Sequence, residues 1–140
     1  MGAAVCNGGS RRALELASEY ARERRVWNGP IGAHQGLSHP LAEAKIELEL
    51  ARLMMQKAAA LYDAGAPAGE ASNMAKYAAA EAGVHCVDRA IQTHGGNGFS
   101  LEYGLTQMYW AVRLVRTAPV SREMILNYVA EHSLGLPRSY

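Results

Sequence analysis

The sequence Gln92-Thr-His-Gly-Gly-Asn-Gly-Phe-Ser-Leu-Glu-Tyr103 divides the chain into two sets of helical patterns. Glycines at positions 95, 96 and 98 interrupt a long apolar periodicity, and a new helical pattern starts a few residues later. Glycine can adopt positive φ and carries no side chain, so the backbone here can approach a neighbouring helix or a ligand closely. Taken alone, this glycine corner predicts a helix stop followed by a tight loop.

Five helical segments are predicted around this corner, four of them long or medium and one short. Ser10, Ser38 and Ser121 are candidate N-caps, and Gly65-Ala-Pro67 predicts a helical hairpin. No segment shows the alternation that is typical of a strand. The predicted helices cover residues 10–26, 38–64, 68–94, 105–115 and 121–134.

This pattern predicts an all-α fold, an up-and-down four-helix bundle with an additional short helix, over residues 10–136. Residues 1–9 are small and glycine-rich, which predicts a flexible N-terminus, and residues 137–140 are expected to form a C-terminal tail. The second helix carries apolar residues on more than one face. We therefore expect it to be covered by a partner as well as by the bundle.

The composition gives no sign of a nucleic-acid or membrane partner. The 140 residues include 14 Lys and Arg against 13 Asp and Glu, a net charge of +1. No apolar run approaches the roughly 18 residues that a membrane helix needs, and we expect a soluble, cytoplasmic protein. Cys6 and Cys86 are expected to be reduced thiols. The five histidines lack ligand spacing, so no metal is predicted.

Several motifs, in order along the chain, resemble the C-terminal helical domain of acyl-CoA dehydrogenases. They are Arg24-Arg-Val-Trp27, His34-Gln35, the Gln92–Tyr103 segment and Val129-Ala-Glu-His-Ser-Leu-Gly-Leu-Pro137. The resemblance covers nearly the whole chain but corresponds to that one domain of the family. It implies FAD as the cofactor and an acyl-CoA as the substrate of the complete enzyme, with hydride transfer to the flavin.

The resemblance also assigns cofactor-binding residues. It implies that Arg24 reaches the FAD diphosphate of a neighbouring subunit and that Trp27 packs near the flavin nucleotide. Gln92 and the backbone of Gly95 and Gly96 would contact the diphosphate. Without the resemblance, Arg24 would be interpreted as a solvated cation at a helix C-terminus, where the helix dipole favours positive charge.

The catalytic base of the family has no counterpart here. Pro119 stands where many members carry glutamate, and proline cannot accept a proton. The alternative position for the glutamate, near the start of this domain, falls at or before Met1. Trp110-Ala111 replaces the usual Arg-Asp pair. We therefore assign no catalytic residue and expect no turnover by this chain without the family's N-terminal and middle domains.

Two functions from different classes remain open. One is the FAD-contacting, oligomerising C-terminal domain of an acyl-CoA dehydrogenase, whether as a fragment or as a short chain with a separate partner. The other is a non-catalytic helical assembly module that has lost flavin binding. Expected partners are copies of the chain, as a dimer or tetramer, or a chain carrying the missing domains. A carboxylate-bridged metal bundle is disfavoured because no Glu-x-x-His pair occurs.

Overall fold

The computed structural model describes residues 1–138 and is almost entirely helical, which confirms the all-α prediction. Two short 3-10 helices, Ile31–Ala33 and Gly95–Phe99, lie between the longer elements. Residues 137 and 138 have no regular secondary structure, and the rest of the predicted tail lies outside the described residues. The α-helices are α1 (Gly2–Glu23), α2 (Gln35–Asp63), α3 (Gly69–His94), α4 (Leu105–Thr117) and α5 (Arg122–His132).

Contacts between the helices give the directions of the first three. Gly83 of α3 lies against Cys6 of α1, and His94 lies against Tyr20, so α1 and α3 run parallel. Helix α2 runs in the opposite direction. Its Met55 contacts Asn7 near the start of α1, whereas its Ala44 carbonyl accepts a hydrogen bond from the Cys86 thiol at 3.3 Å. These three helices therefore follow an up, down, up order.

The fourth leg of the bundle consists of α4 and α5 in succession. Val112 of α4 lies against Gly83, and Tyr128 of α5 lies against Gly69 at the start of α3. Both helices therefore run antiparallel to α3, one after the other along its length. The fold is an up-and-down four-helix bundle whose last leg is interrupted at Pro119.

Small side chains form much of the core, which allows the helices to approach closely. Alanine occupies half of the buried positions of α1 and just over half of those of α3. The largest fully buried aliphatic side chains are Leu105, Ile125, Val87 and Val112. On α2, one apolar stripe is buried and another is not. Ala44, Leu48, Ala51 and Ala58 face the bundle, whereas Ile46, Leu50 and Leu53 are 61%, 61% and 55% exposed.

Two predicted helix starts were wrong. Helix α1 begins at Gly2 rather than after Ser10, so the segment expected to be loose is helical. Gly2 lets α4 approach, since a Cβ at this position would lie 3.2 Å from a methyl group of Val115, and this packing offsets the low helix propensity of glycine. Helix α2 begins at Gln35, and the Ser38 hydroxyl donates to the His34 carbonyl instead of capping. The predicted cap at Ser121 is confirmed, since its side chain accepts the Met124 N–H.

A two-stranded antiparallel pair was also missed, because each strand has only two residues. Arg25–Val26 (β1) pairs with Gly29–Pro30 (β2) directly after α1. Such short strands show no alternation in sequence. Among the described residues, no helix has both the length and the apolar character to cross a membrane.

Cys6 and Cys86 are unpaired and buried. Burial raises the pKa of the Cys6 thiol to about 11, partly offset by Lys76, and burial raises that of Cys86 to about 12. We expect a chromogenic disulfide reagent to label both thiols slowly at pH 8 and promptly in urea, because the reactive thiolate is disfavoured in the folded chain.

The same burial predicts a pH dependence of stability. Unfolded thiols lose their protons near pH 9, whereas the folded thiols keep theirs to about pH 11, so folding binds protons in this window. The free energy of unfolding should fall as the pH rises from about 9 to about 11. A Cys6→Ser, Cys86→Ser double variant should lose this part of the slope. Prompt labelling of Cys6 and Cys86 in the folded chain at pH 8 would contradict the raised pKa values of the two thiols.

Candidate functional site

The three glycines of the corner have different structural roles. Gly95 has φ 58° and ψ −132°, a conformation that other residues rarely adopt, and its N–H donates to the Gln92 carbonyl. A Cβ on Gly98 would lie 2.6 Å from the Ile91 carbonyl oxygen, so this position requires glycine for packing. Gly96 is exposed, and nothing lies within 4 Å of a Cβ placed there. The corner is thus tightly packed against α3 and open at Gly96.

An aromatic cluster supports the corner. The His94 side chain is buried, and its ring stacks on Tyr20 with the centroids 4.3 Å apart. Tyr103 meets the same imidazole edge-on at 4.8 Å. The Nδ1 atom lies 2.8 Å from the Ala90 carbonyl, so this nitrogen carries the proton and donates. The buried Nε2 has no hydrogen-bond partner among residues 1–138.

No pattern in the sequence indicates this cluster. His94 is one of five histidines without ligand spacing, and no motif in the first helix singles out Tyr20. The available signal was the position of Tyr20 four residues before Arg24, which places both side chains on one side of α1.

Arg24 and Trp27 lie at the C-terminal end of α1 and are exposed. Arg24 is the C-cap residue, and the β1–β2 hairpin follows it directly. Trp27, in the turn of this hairpin, is 86% exposed and has φ 55°, a conformation that costs a non-glycine residue about 1–2 kcal/mol. Its ring meets His34 edge-on at 5.7 Å.

The parallel course of α1 and α3 brings the predicted cofactor residues to one end of the bundle. Arg24 and Trp27 follow the end of α1, and Gln92, Gly95 and Gly96 are at the end of α3. Helix α2 starts at this end too. A cavity of about 140 Å³ between α2 and α3 includes Gln92 in its lining. Its other lining residues are Gly36, Leu37, Pro40, Leu41, Arg89 and Thr93.

Pro119 lies in the junction between α4 and α5, far from the glycine corner. Lys76 of α3 donates to the carbonyl of the neighbouring Val120, which places the junction about 24 Å from Gln92 along the axis of α3. Glu81 faces the same junction, where Arg116 and Arg122 hold its carboxylate at 2.8 Å and 3.1 Å. The structure therefore gives Glu81 a structural ion pair rather than a free carboxylate.

Within the described part of the chain, no three His, Cys, Asp or Glu side chains are grouped so that they could hold a metal ion. The donors at the corner end are instead a guanidinium, an amide and glycine backbone. Such donors suit an oxyanion rather than a metal cation.

Comparison with known proteins gives a consistent result. The model of the family "Acyl-CoA dehydrogenase, C-terminal domain" matches residues 1–134. Acyl-CoA dehydrogenase FadE12 of Mycobacterium tuberculosis is 61% identical over 142 residues, which cover 100% of this chain and 37% of that protein. The 3-(aryl)acrylate reductase of Clostridium sporogenes is 35% identical, over 94% of this chain and 35% of the reductase.

Solved structures agree with the sequence relatives. The FAD complex of PigA superposes with a TM-score of 0.91 at 31% identity, over 96% of this chain and 35% of PigA. The glutaryl-coenzyme A dehydrogenase glutaryl-CoA complex has a TM-score of 0.91 at 32% identity, over 99% of this chain and 35% of that protein. The chain thus spans little more than a third of these relatives. It belongs to the acyl-CoA dehydrogenase family and corresponds to the family's C-terminal domain.

Proposed function

We propose that this chain is the FAD-contacting, oligomerising C-terminal domain of an acyl-CoA dehydrogenase and does not turn over substrate by itself. The observation that carries the proposal is a shared position. Arg24 and Trp27 lie at the same end of the bundle as Gln92, Gly95 and Gly96. In the complete enzyme, the flavin would accept a hydride from the acyl-CoA thioester, and the protein would supply binding and orientation.

The donors at this end fit the diphosphate of FAD. The exposed guanidinium of Arg24 can donate two parallel hydrogen bonds to a phosphate, and the Gln92 amide adds a neutral donor. Gly95 uses its N–H for the Gln92 carbonyl, so Gly96 is the better candidate for a backbone contact. The open space at Gly96 would allow a bulky ligand to approach.

Trp27 supports a nucleotide ligand in a different way. A large ring that is 86% exposed, on a turn with unfavourable φ, is not explained by packing within this chain. Aromatic faces stack on planar heterocycles, and the flavin nucleotide offers such a surface. We assign Trp27 to the nucleotide part of the cofactor and Arg24 to its charged part.

Association is supported by apolar side chains that the chain itself does not cover. The exposed stripe of α2 is formed by Ile46, Leu50 and Leu53, and α4 exposes Trp110 and Leu114. Neighbouring exposed apolar residues mark interaction surfaces. The proposed partners are further copies of the chain, in a dimer or tetramer, or a chain that carries the remaining domains of the family.

The proposal can be tested by measuring the Kd for FAD from quenching of flavin fluorescence, up to about 1 mM FAD. We expect Arg24→Ala and Gln92→Ala each to weaken FAD binding about tenfold, because each removes a hydrogen bond to an anionic group. Gel filtration of the same samples reports the oligomeric state.

Two control variants remove an arginine and a glutamine that lie away from the corner end of the bundle. Arg12→Ala on α1 and Gln56→Ala on α2 remove the same side-chain types and should leave the Kd unchanged. An oligomer that binds no FAD, or whose Kd is unaffected by both Arg24→Ala and Gln92→Ala, would overturn flavin contact. The non-catalytic assembly module would then be the function.

A further inference from the structure

We infer that Tyr20 is a positioning residue that holds the end of α1 against the glycine corner, so that Arg24 and the Gln92–Gly96 segment face one ligand. This inference rests on the proposed function. It assigns a role to a side chain that reaches the corner itself and need not touch the cofactor.

Tyr20 contacts the corner in three ways. Its hydroxyl accepts a hydrogen bond from the Asn97 side-chain amide at 3.1 Å. Its ring stacks on His94 at 4.3 Å with 29° between the planes, and it meets Tyr103 edge-on at 6.1 Å. These partners lie immediately before, within and after the 3-10 helix of the corner. A single side chain of α1 therefore contacts the corner from both ends.

The partners of Tyr20 are themselves held in place. His94 is 3% exposed, and its Nδ1 donates to Ala90 within α3, which fixes the orientation of the imidazole. Tyr103 packs against the same ring, and the Asn97 carbonyl accepts the Ser100 N–H at 3.0 Å. The imidazole on which Tyr20 stacks is thus held by α3 and Tyr103, and Asn97 belongs to the hydrogen-bonded backbone of the corner.

Tyr20 is also coupled to Arg24. The backbone N–H of Arg24 donates to the Tyr20 carbonyl at 2.8 Å, so the two residues belong to the same helical turn. The neighbouring hairpin is attached to α1 in its turn, since Ile31 donates to the Arg24 carbonyl at 2.8 Å. A shift of Tyr20 relative to the corner would therefore carry Arg24 and the hairpin with it.

The test is a set of FAD titrations with variants that remove the hydroxyl contact from either side. Tyr20→Phe keeps the ring stack and should weaken FAD binding about fivefold, the effect of losing one neutral hydrogen bond that orders the site. Asn97→Ala should have a similar effect, and the double variant should be no weaker than either single variant. Tyr62→Phe, on the exposed surface of α2, should leave the Kd unchanged.

A positioning role is separated from a general loss of stability by repeating Tyr20→Phe in the Arg24→Ala background. With no guanidinium left to position, the hydroxyl should no longer affect the Kd. A fivefold loss that persists in this background would overturn the inference, as would an unchanged Kd for Tyr20→Phe in the original chain. If Arg24→Ala and Gln92→Ala are themselves without effect, the proposed function fails first, and the role of Tyr20 fails with it.

Discussion

Replacing Gly98 with alanine should lower the free energy of unfolding by about 3 kcal/mol, at the upper end of the usual cost of overpacking. The new Cβ would lie 2.6 Å from the Ile91 carbonyl oxygen and 3.0 Å from the Ile91 Cα. Both are backbone atoms of α3, so no side chain can rotate away. Relief requires the corner to move off the helix, which would also disturb the cluster around His94.

Urea unfolding followed by helical circular dichroism, at one fixed protein concentration, measures this loss. Gly96→Ala is the matched control, because it adds the same methyl group two residues away into open space. Its free energy of unfolding should stay within about 0.5 kcal/mol of that of the original chain. If the two substitutions lowered the free energy of unfolding equally, the close contact between Gly98 and α3 would not be the cause of the loss.

Replacing Ile125 with alanine should also cost about 3 kcal/mol, within the range observed for large-to-small substitutions in cores. Ile125 is 1% exposed and is the buried residue of α5. The helix is otherwise held by its cap and by the half-buried Tyr128, which packs against Gly69. Polar contacts of Arg122 with Glu81 and with the Tyr77 hydroxyl add to these. Loss of the Ile125 side chain should therefore loosen α5 before the rest of the bundle.

Urea unfolding gives the total loss, and hydrogen exchange of the α5 amides shows where it occurs. Leu126→Ala removes a side chain of the same size from the next position, which is 41% exposed, and should cost less than about 1 kcal/mol. If the amides of α5 in the Ile125→Ala variant exchange as slowly as before, α5 does not depend on this anchor.

Local signals in the sequence were sufficient for the helices and their order. The glycines after His94, the Gly65-Ala-Pro67 hairpin and the Ser121 cap act within a few residues, so they can be identified without knowing what packs against them. Periodicity predicts that α2 carries apolar residues on more than one face, and the structure shows that the bundle buries the face of Ala44, Leu48 and Ala51.

The site was predictable only in part. The resemblance of ordered motifs indicated Arg24, Trp27, Gln92, Gly95 and Gly96, and the structure shows that they lie at one end of the bundle. Their contact with FAD stays a prediction. The sequence did not indicate that Tyr20 would reach His94 and Asn97, because these residues are more than 70 positions away along the chain.

The sequence by itself determined the helical class, the glycine corner and the family, because periodicity, turn residues and motif order are encoded locally. Tertiary structure decided where α1 begins, since Gly2 becomes a good helix position only when Val115 of α4 packs against it. It also decided that Gly95 is needed for its backbone conformation and Gly98 for its close packing against α3. These outcomes depend on atoms that meet across helices, and the free energy of such contacts exceeds the weak propensities of single residues.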